Sequence, residues 1–414
     1  MTENTAESGT MPAGSTDAPL SLNRDFLLFL ICRGCAMIGF QTLSVAVGWH
    51  VYVRTGEVMN LAYIGLFMFL PFLVLFLPAG LVADRMDRRL IIIGAALLHA
   101  VAVGLTGFWL YSGATAIWPI FLFLTMTGAA QAFLHPANQA MLPNLVSRAV
   151  FARAFATTTT VTRAAQIGGP VLGGILIAGI DTGTYLAIAA FYATCAVTAW
   201  MIRADLRIRS AEPVSLSVLL GGIRYIRGTR LILAAVLIDL LAVLFGSVTG
   251  MLPVIATDIL HVGAGELGLM RSAPAIGGLA IGVLVARSGL PGHVGRAFFA
   301  ALAGFGISIV IIGLSPLFWL TMIALVIYGA TDMISVFVRH TLVQMGTPDD
   351  LRGRVSAVNS VAINASNQMG DFRAGSMAAL LGVPAAIVVG GAATLGIAAL
   401  WYRLFPELRQ LQRL

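Results

Sequence analysis

The sequence predicts an all-α membrane protein whose twelve transmembrane helices form two pseudo-symmetric six-helix bundles. Three observations support this fold class: a composition suited to lipid, a series of long apolar segments, and a repeat that relates the two halves of the chain. Hydrophobic residues make up 58% of the 414 residues and charged residues only 10%. A soluble protein of this length needs far more charged side chains to cover its surface.

The apolar segments are each about as long as the roughly 20 residues that a helix needs to cross a bilayer. Because backbone N–H and C=O groups must be paired in lipid, each segment is interpreted as a helix. We number these predicted spans 1 to 12 in chain order. They cover residues 25–53, 59–83, 90–111, 117–142, 154–179, 183–202, 231–257, 265–286, 297–314, 317–338, 355–380 and 383–405.

The basic residues are all arginine, and their positions predict the topology. They concentrate at the N-terminal flank, in alternate loops, in the connection between the halves and at the C-terminal end, whereas Arg54 alone falls in the opposite set of loops. By the positive-inside rule both termini lie in the cytoplasm, which predicts a multi-pass protein of the cell inner membrane. This placement explains the net charge of +7 without nucleic acid.

Other function classes are disfavoured by residues that the chain lacks. Without lysine there is neither a Walker A loop nor Schiff-base chemistry. We find no nucleophile motif and no cysteine- or histidine-rich metal pattern in the sequence. The chain is therefore predicted not to be an enzyme, with no cofactor and no metal.

The chain divides into five predicted regions. The longest break in the apolar pattern separates the two bundles, and within it Leu216, Leu219, Leu220, Ile223 and Ile226 recur at helical spacing. This pattern predicts an amphipathic helix on the inner leaflet, or a simple connector. The regions are a disordered cytoplasmic tail (1–22), an N-terminal bundle (23–203), a cytoplasmic linker (204–229), a C-terminal bundle (230–406) and a second cytoplasmic tail (407–414).

The two halves repeat each other at a constant offset of 201 residues. Two tandem six-helix halves with a site between them are typical of a transporter. The pairs that share the offset are Arg153 with Arg354, Gly169 with Gly370, and Gly174 with Gly375.

The connection between spans 2 and 3 reads GLVADRMDRR from Gly80 to Arg89. It resembles the G-x-x-x-D-R-x-G-R-R signature of the major facilitator superfamily, although Asp87 replaces the usual glycine. The resemblance implies a gating role in which an aspartate pairs with loop arginines and releases them during a conformational switch. The alternative is that the arginines only determine topology. The residues implied are Gly80, Asp84, Arg85, Arg88 and Arg89.

Span 5 contains the motif Gly169-Pro170-x-x-Gly173-Gly174. It resembles the G-P-x-x-G-G motif of antiporters in the same superfamily. Glycines on one face allow close packing against a helix of the other half, and proline bends the helix. The resemblance therefore implies a seal on the outer side of a cavity.

Three further segments resemble the drug:proton antiporter branch, which includes the enterobactin exporter and handles siderophores, macrolides and other drugs. The resemblance covers about residues 24–405. The segments are 239–246, 347–355 and 364–371.

Charged side chains within spans are costly in lipid and usually face a cavity. The only carboxylates well inside spans are Asp239, Asp332 and Asp371, and these are the candidates for proton coupling, with the first two preferred. Asp332 and Arg339 share a helix face two turns apart. Alternatively, the aspartates form static ion pairs. Arg33 and Arg163 are expected either to pair with them or to attract an anionic substrate. The substrate-cavity candidates are Arg33, Gln41, Arg163, Gln166, Phe245 and Arg271.

Together these features predict a monomeric, proton-coupled exporter of a small amphipathic compound, either a siderophore or a drug, that works by alternating access. Its expected partners are the transported compound, protons and the lipid bilayer. Alternatives on the same fold are a non-transporting scaffold or sensor, an importer, and a lipid flippase. A scaffold has little need for charged residues inside its spans.

Overall fold

The computed structural model describes residues 23–147, 149–204, 216–289 and 292–412. Within helices, the side chains of residues 76–77, 83–85, 216–219 and 349–350 are not described. The predicted tail 1–22, residues 205–215 of the linker and residues 413–414 lie outside the described residues. In the described part every regular element is helical, which confirms the predicted all-α fold class.

The first half contains helices α1 to α6, which correspond to predicted spans 1 to 6. The bounds are α1 Arg24–Thr55, α2 Val58–Arg85, α3 Arg88–Tyr111, α4 Trp118–Leu145, α5 Phe151–Ile180 and α6 Thr184–Met201.

The second half follows a short linker helix and continues to residue 412. Its bounds are α7 Leu216–Gly228, α8 Arg230–Gly246, α9 Leu252–Val254, α10 Ala264–Ser288, α11 Val294–Leu314, α12 Phe318–Gly346, α13 Asp349–Leu381, α14 Val383–Leu404 and α15 Pro406–Arg409.

Span 7 is broken near its middle, which the apolar pattern alone did not predict. Helix α8 ends at Gly246, and the chain continues through a 3-10 turn (Thr249–Met251), α9 and a π-helical turn (Ile255–Ile259). Pro253 cannot donate a backbone hydrogen bond, and Gly250 is a poor helix former. Irregular backbone is tolerated at membrane depth only where protein or a cavity satisfies it.

Ten stretches of the described residues are long and apolar enough to cross a bilayer, and one of them, Phe151–Met201, contains both α5 and α6. Helix α13 has 33 residues but is much less apolar than the others. It lies between the two halves, where polar residues are expected to face a cavity rather than lipid.

The two halves pack in the same pattern. In the first half α2 packs on α4, α3 packs on α4 and α6, and α1 packs on α5 and α6. The equivalent helices of the second half repeat these contacts: α10 on α12, α11 on α12 and α14, and α8 on α13 and α14. Between the halves, α5 packs on α10 and α2 packs on α13, which is again a symmetric pair. The bundle is therefore pseudo-symmetric, as predicted.

The halves meet closely at one end of the bundle. We call the end where α1, α3 and α5 begin the arginine-rich end, and the opposite end the arginine-poor end. At the arginine-poor end the Tyr52 hydroxyl donates a hydrogen bond of 2.5 Å to Asp258 of the other half. A Cβ atom on Gly375 would lie 2.6 Å from the Cβ of Ala62, so α13 and α2 touch here without room for a side chain.

The linker helix α7 packs against the second half. The Tyr225 hydroxyl donates to the carbonyl of Gly346 at 2.5 Å, and Ile226 is buried against Val355. Leu220 and Ile223 remain exposed, at 54% and 40%. The exposed apolar face is compatible with the predicted inner-leaflet position, which stays a prediction.

Candidate functional site

Two cavities lie between the halves. The first, which we call the vestibule, is at the arginine-rich end, measures about 540 Å³ and is lined by α1, α4, α5 and His340 of α12. The second, the central cavity, measures about 530 Å³ and is lined by α1, α2, α4, α5 and α13. Gln166 lines both, so the two cavities adjoin.

Four of the predicted cavity residues line these spaces. Arg33 and Arg163 line the vestibule, Gln41 lines the central cavity, and Gln166 lies between them. The Arg33 Nε donates to the Thr162 hydroxyl at 3.1 Å, and the Arg163 Nη1 donates to the Gln166 Oε1 at 3.0 Å. Both guanidinium groups therefore have neutral hydrogen-bond partners.

A third, smaller space of about 120 Å³, the enclosed cavity, is lined by residues of both halves. Arg271 and Asp371 of the second half line it, together with Ser44 and Gly48 of α1. It is thus the place where a carboxylate, a guanidinium and the first half come together.

Asp371 is held by the broken part of span 7. Its Oδ1 accepts hydrogen bonds from the Ser247 hydroxyl and, at 3.2 Å, from the backbone N–H of Gly250. The Gly250 N–H is available because α8 ends at Gly246, so this N–H does not bond to the carbonyl four residues earlier as it would in a continuous helix. The break in span 7 therefore forms a cradle for one carboxylate.

Arg271 connects the two halves directly. Its Nη1 donates to the Ser44 hydroxyl of α1, and its Nη2 donates to the Thr249 carbonyl at 3.3 Å. Asp371 is within electrostatic range of the same guanidinium. The charge on Asp371 and the contact between Arg271 and the first half are therefore linked.

Asp239 lies instead in a buried ion pair inside the second half. Its Oδ2 is 2.9 Å from the Nε of Arg339, and the two side chains are only 4% and 3% exposed. Ser335 donates to the other carboxylate oxygen, and Arg339 also donates to Asn359, both at 2.9 Å. This ion pair is the kind of contact that the alternative to coupling requires, with Arg339 rather than Arg33 or Arg163 as the partner; whether Asp239 couples protons stays a prediction.

Asp332 is half-buried and forms none of the described ion pairs. It lies within electrostatic range of Asp239, Arg339 and Arg163. Asp332 and Arg339 therefore interact only through their charges, whereas the ion pair of Arg339 is with Asp239.

Phe245 occupies a different place from the one expected of a cavity residue. The Arg373 guanidinium lies 5.5 Å from the centre of its ring, and donates to the carbonyls of Leu244 and Phe245 at 2.9 and 2.6 Å. Arg373 thereby satisfies the last carbonyls of α8, which have no partner within the helix. Phe245 packs on this arginine rather than lining any of the three cavities.

The connection between α2 and α3 is held by side chains that bind helix ends. Asp87 caps α3 by accepting from the Arg89 backbone N–H at 2.9 Å. Arg88 donates to the Ala140 carbonyl at 2.6 Å and Arg89 to the Ile202 carbonyl at 2.8 Å, near the ends of α4 and α6. The departure from the signature at Asp87 is therefore a helix cap.

The side chains of Asp84 and Arg85 lie outside the described residues, and the gating role stays a prediction.

The span 5 motif faces two neighbours. A Cβ on Gly169 would lie 2.6 Å from Gln41 of α1, whereas a Cβ on Gly174 would lie 2.5 Å from the carbonyl oxygen of Ala264 in the other half. A Cβ on Gly268 of α10 would lie equally close to the carbonyl oxygen of Pro170, at 2.5 Å. The motif thus allows α5 to touch both α1 and α10 at the arginine-poor end.

Replacing Gly174 by valine is expected to open the arginine-poor end, because the new side chain cannot fit against Ala264. Gly179→Val is the matched control, since nothing lies within 4 Å of a Cβ there. Spin labels on Thr115 and Leu317, in a cysteine-free background, report the separation of the halves at this end. We expect longer distances for Gly174→Val and an unchanged distribution for Gly179→Val; equal distributions for both would contradict this interpretation.

The site also includes residues that sequence reasoning missed. Ser44, Ser247 and Asn359 are small polar residues within spans, and each binds a charged group. Helical spacing could have identified Ser44, because it lies one turn beyond the cavity candidate Gln41 and therefore on the same face of α1. In the described part of the chain, no group of three or more His, Cys, Asp or Glu side chains could hold a metal ion.

Comparison with curated proteins gives full-length relatives. The enterobactin exporter EntS of Citrobacter koseri is 25% identical over 406 residues, with 94% of this chain and 93% of that protein covered. The macrolide efflux protein A of Streptococcus pyogenes is 23% identical over 397 residues, with 92% and 95% covered. Both names describe export of a small molecule.

Solved structures confirm the fold. The nucleoside transporter NupG has a TM-score of 0.73 at 11% identity, with 92% of this chain and 99% of that chain covered. A bacterial homolog of the human lysosomal transporter Spinster, inward-facing and unoccupied, has a TM-score of 0.72 at 14% identity, with 97% and 99% covered.

The family assignment comes from a family model described as transmembrane secretion effector, which matches residues 14–413. Its members are transporters with multi-pass membrane domains, not enzymes, and the predicted superfamily is confirmed. The chain belongs to the transmembrane secretion effector family of the major facilitator superfamily.

Proposed function

We propose that this protein exports a small amphipathic compound across the cytoplasmic membrane in exchange for protons. The observation that carries the proposal is the arrangement of the vestibule, the central cavity and the enclosed cavity along one path between two pseudo-symmetric halves. Such a path ends at the close contacts of the arginine-poor end. A static scaffold has no need for a charged, cavity-lined interface of this kind.

The direction of opening follows from the proposed topology. If the arginine-rich end is cytoplasmic, as the positive-inside rule predicts, the protein faces inward. Substrate then enters the vestibule from the cytoplasm or the inner leaflet. The α5–α10 and α2–α13 contacts are the outer seal that has to part when the halves rock to the outward-facing state.

Proton coupling is proposed at Asp371, with Asp332 as the second candidate. Asp371 lines a cavity and lies within range of Arg271, which binds Ser44 of the first half. Protonation of the carboxylate would remove its attraction for Arg271 and change the balance of forces between the halves. Asp239 has a weaker case, because its carboxylate is sealed in the pair with Arg339.

Purified protein in proteoliposomes tests the proposal. An imposed pH gradient should drive accumulation of a siderophore or drug from a panel, and collapsing the gradient with a protonophore should abolish it. If folded protein moves none of the panel under any gradient, or moves a compound at a rate unaffected by pH, the antiport proposal fails.

A further inference from the structure

We infer that the compound bound in the vestibule is an amphipathic organic anion. This inference names the substrate class of the proposed transport site, and so it rests on the proposed function. It starts from the charges that face the vestibule and the central cavity. Among their described lining residues the charged side chains are arginines, namely Arg33 and Arg163, and no carboxylate lines either space.

The two guanidinium groups lie deep in their helices rather than at the membrane surface. Arg33 is nine residues into α1 and Arg163 is twelve residues into α5. At 1.5 Å per residue these positions are roughly 14 and 18 Å from the helix starts. A residue that only marks the cytoplasmic side does not need this depth.

Arg33 and Arg163 each donate one described side-chain hydrogen bond, and neither bond balances the positive charge. Thr162 and Gln166, the partners of Arg33 and Arg163, are both neutral. Asp332 lies within electrostatic range of Arg163, but it also interacts with Asp239 and Arg339, so its charge is shared among them. A charge that is only partly neutralised is costly inside a membrane protein, and so it is expected to have a function.

Arginines also outnumber aspartates in the interior of the described helices as a whole. Against three aspartates, five arginines lie well inside the described helices: Arg33, Arg163, Arg271, Arg339 and Arg373. Asp239 forms an ion pair with Arg339, and Asp371 lies within electrostatic range of Arg271. Of the others, Arg373 binds helix carbonyls outside the cavities. The positive charge that is accessible to a ligand is therefore at Arg33 and Arg163, and Asp332 offsets it only in part.

The vestibule also has the apolar surface that an amphipathic ligand needs. Phe29, Phe151 and Phe155 line it beside the two arginines, and Phe155 is 59% exposed. A planar guanidinium binds a carboxylate, phenolate or phosphate through two parallel hydrogen bonds. Aromatic walls bury the rest of the ligand. Repulsion by the same guanidinium groups disfavours organic cations.

Two dyes with the same ring system and opposite charge test the inference. Fluorescein is a dianion near neutral pH and rhodamine 6G is a cation, so binding to the full-length protein in detergent, measured by fluorescence anisotropy, compares charge at nearly constant shape. We expect fluorescein to bind at least tenfold more tightly. Arg163→Gln should weaken fluorescein binding about tenfold, the loss typical of a charged hydrogen bond, whereas Arg163→Lys should restore much of it.

Arg287→Gln is the matched control, because Arg287 is exposed at the end of α10 and outside the cavities. Monodisperse elution of every variant confirms folding. Tighter binding of rhodamine 6G, equal binding of the two dyes, binding of neither, or equal effects of Arg163→Gln and Arg287→Gln would each overturn the inference. The assay uses no proton gradient, so a failure of gradient-driven export contradicts the proposed function and leaves this result standing.

Discussion

Replacing Asp371 by asparagine is expected to abolish proton-driven export while leaving the protein folded. Asparagine has nearly the same shape, and its Oδ1 can still accept from Ser247 and Gly250, so the cradle in span 7 keeps its hydrogen bonds. What the variant loses is the ability to carry a proton and a negative charge next to Arg271. A coupled transporter that cannot change this charge loses its link to the pH gradient.

We expect accumulation driven by a pH gradient to fall at least tenfold in Asp371→Asn, measured in proteoliposomes as initial rate. Exchange of labelled for unlabelled substrate at equal pH on both sides should persist, because that exchange needs no net proton movement. Asp181→Asn is the matched control: Asp181 lies at the arginine-poor end, bonded to His50 and 73% exposed at its side chain. If Asp371→Asn keeps full gradient-driven transport, the coupling site lies elsewhere, and Asp332→Asn is the next variant to test.

The fold was predictable from the sequence because lipid imposes a simple requirement. Each apolar segment must pair its own backbone groups, and so hydropathy identifies most of the helices, although α13 is less apolar than the rest. The offset between Gly174 and Gly375 also anticipated the symmetric contacts, because each glycine lies where α5 or α13 touches the opposite half. The break in span 7 was missed because Ser247 to Pro253 is still apolar on average, and its irregular backbone depends on partners in α13.

The candidate site was only partly predictable, since a pattern shows which residues are charged but not which of them meet. Spacing placed Arg339 on the same helix face as Asp332, yet its direct partner is Asp239, one hundred residues earlier in the chain. Arg271 was predicted as a cavity residue, but its contact with Ser44 depends on how the two halves meet. Pairing between helices follows from packing, which sequence periodicity does not contain.

The role of Asp239 can be decided by removing its partner. Arg339→Gln leaves a carboxylate that is 4% exposed without its counter-charge, and breaking one side of a buried ion pair typically costs about 3–5 kcal/mol. We expect the free energy of unfolding, measured by SDS titration in mixed micelles, to fall by about this amount. Arg230→Gln breaks an exposed pair with Glu407, whose side chains are 70% and 52% exposed. Because solvent screens such pairs, this control should change stability by less than about 1 kcal/mol.

The double variant Asp239→Asn with Arg339→Gln separates a structural pair from a proton site. Removing both charges leaves no buried ion unpaired, and replacing a buried pair by neutral groups is often close to neutral in stability. Ser335 and Asn359 can still bond to the new amides. For a static pair, we expect the double variant to recover most of the stability lost in Arg339→Gln and to keep gradient-driven transport. If the double variant instead recovers its stability but loses gradient-driven transport, the proton-coupling residue is Asp239. In that case the fold is intact, and what is missing is the carboxylate that carries the proton.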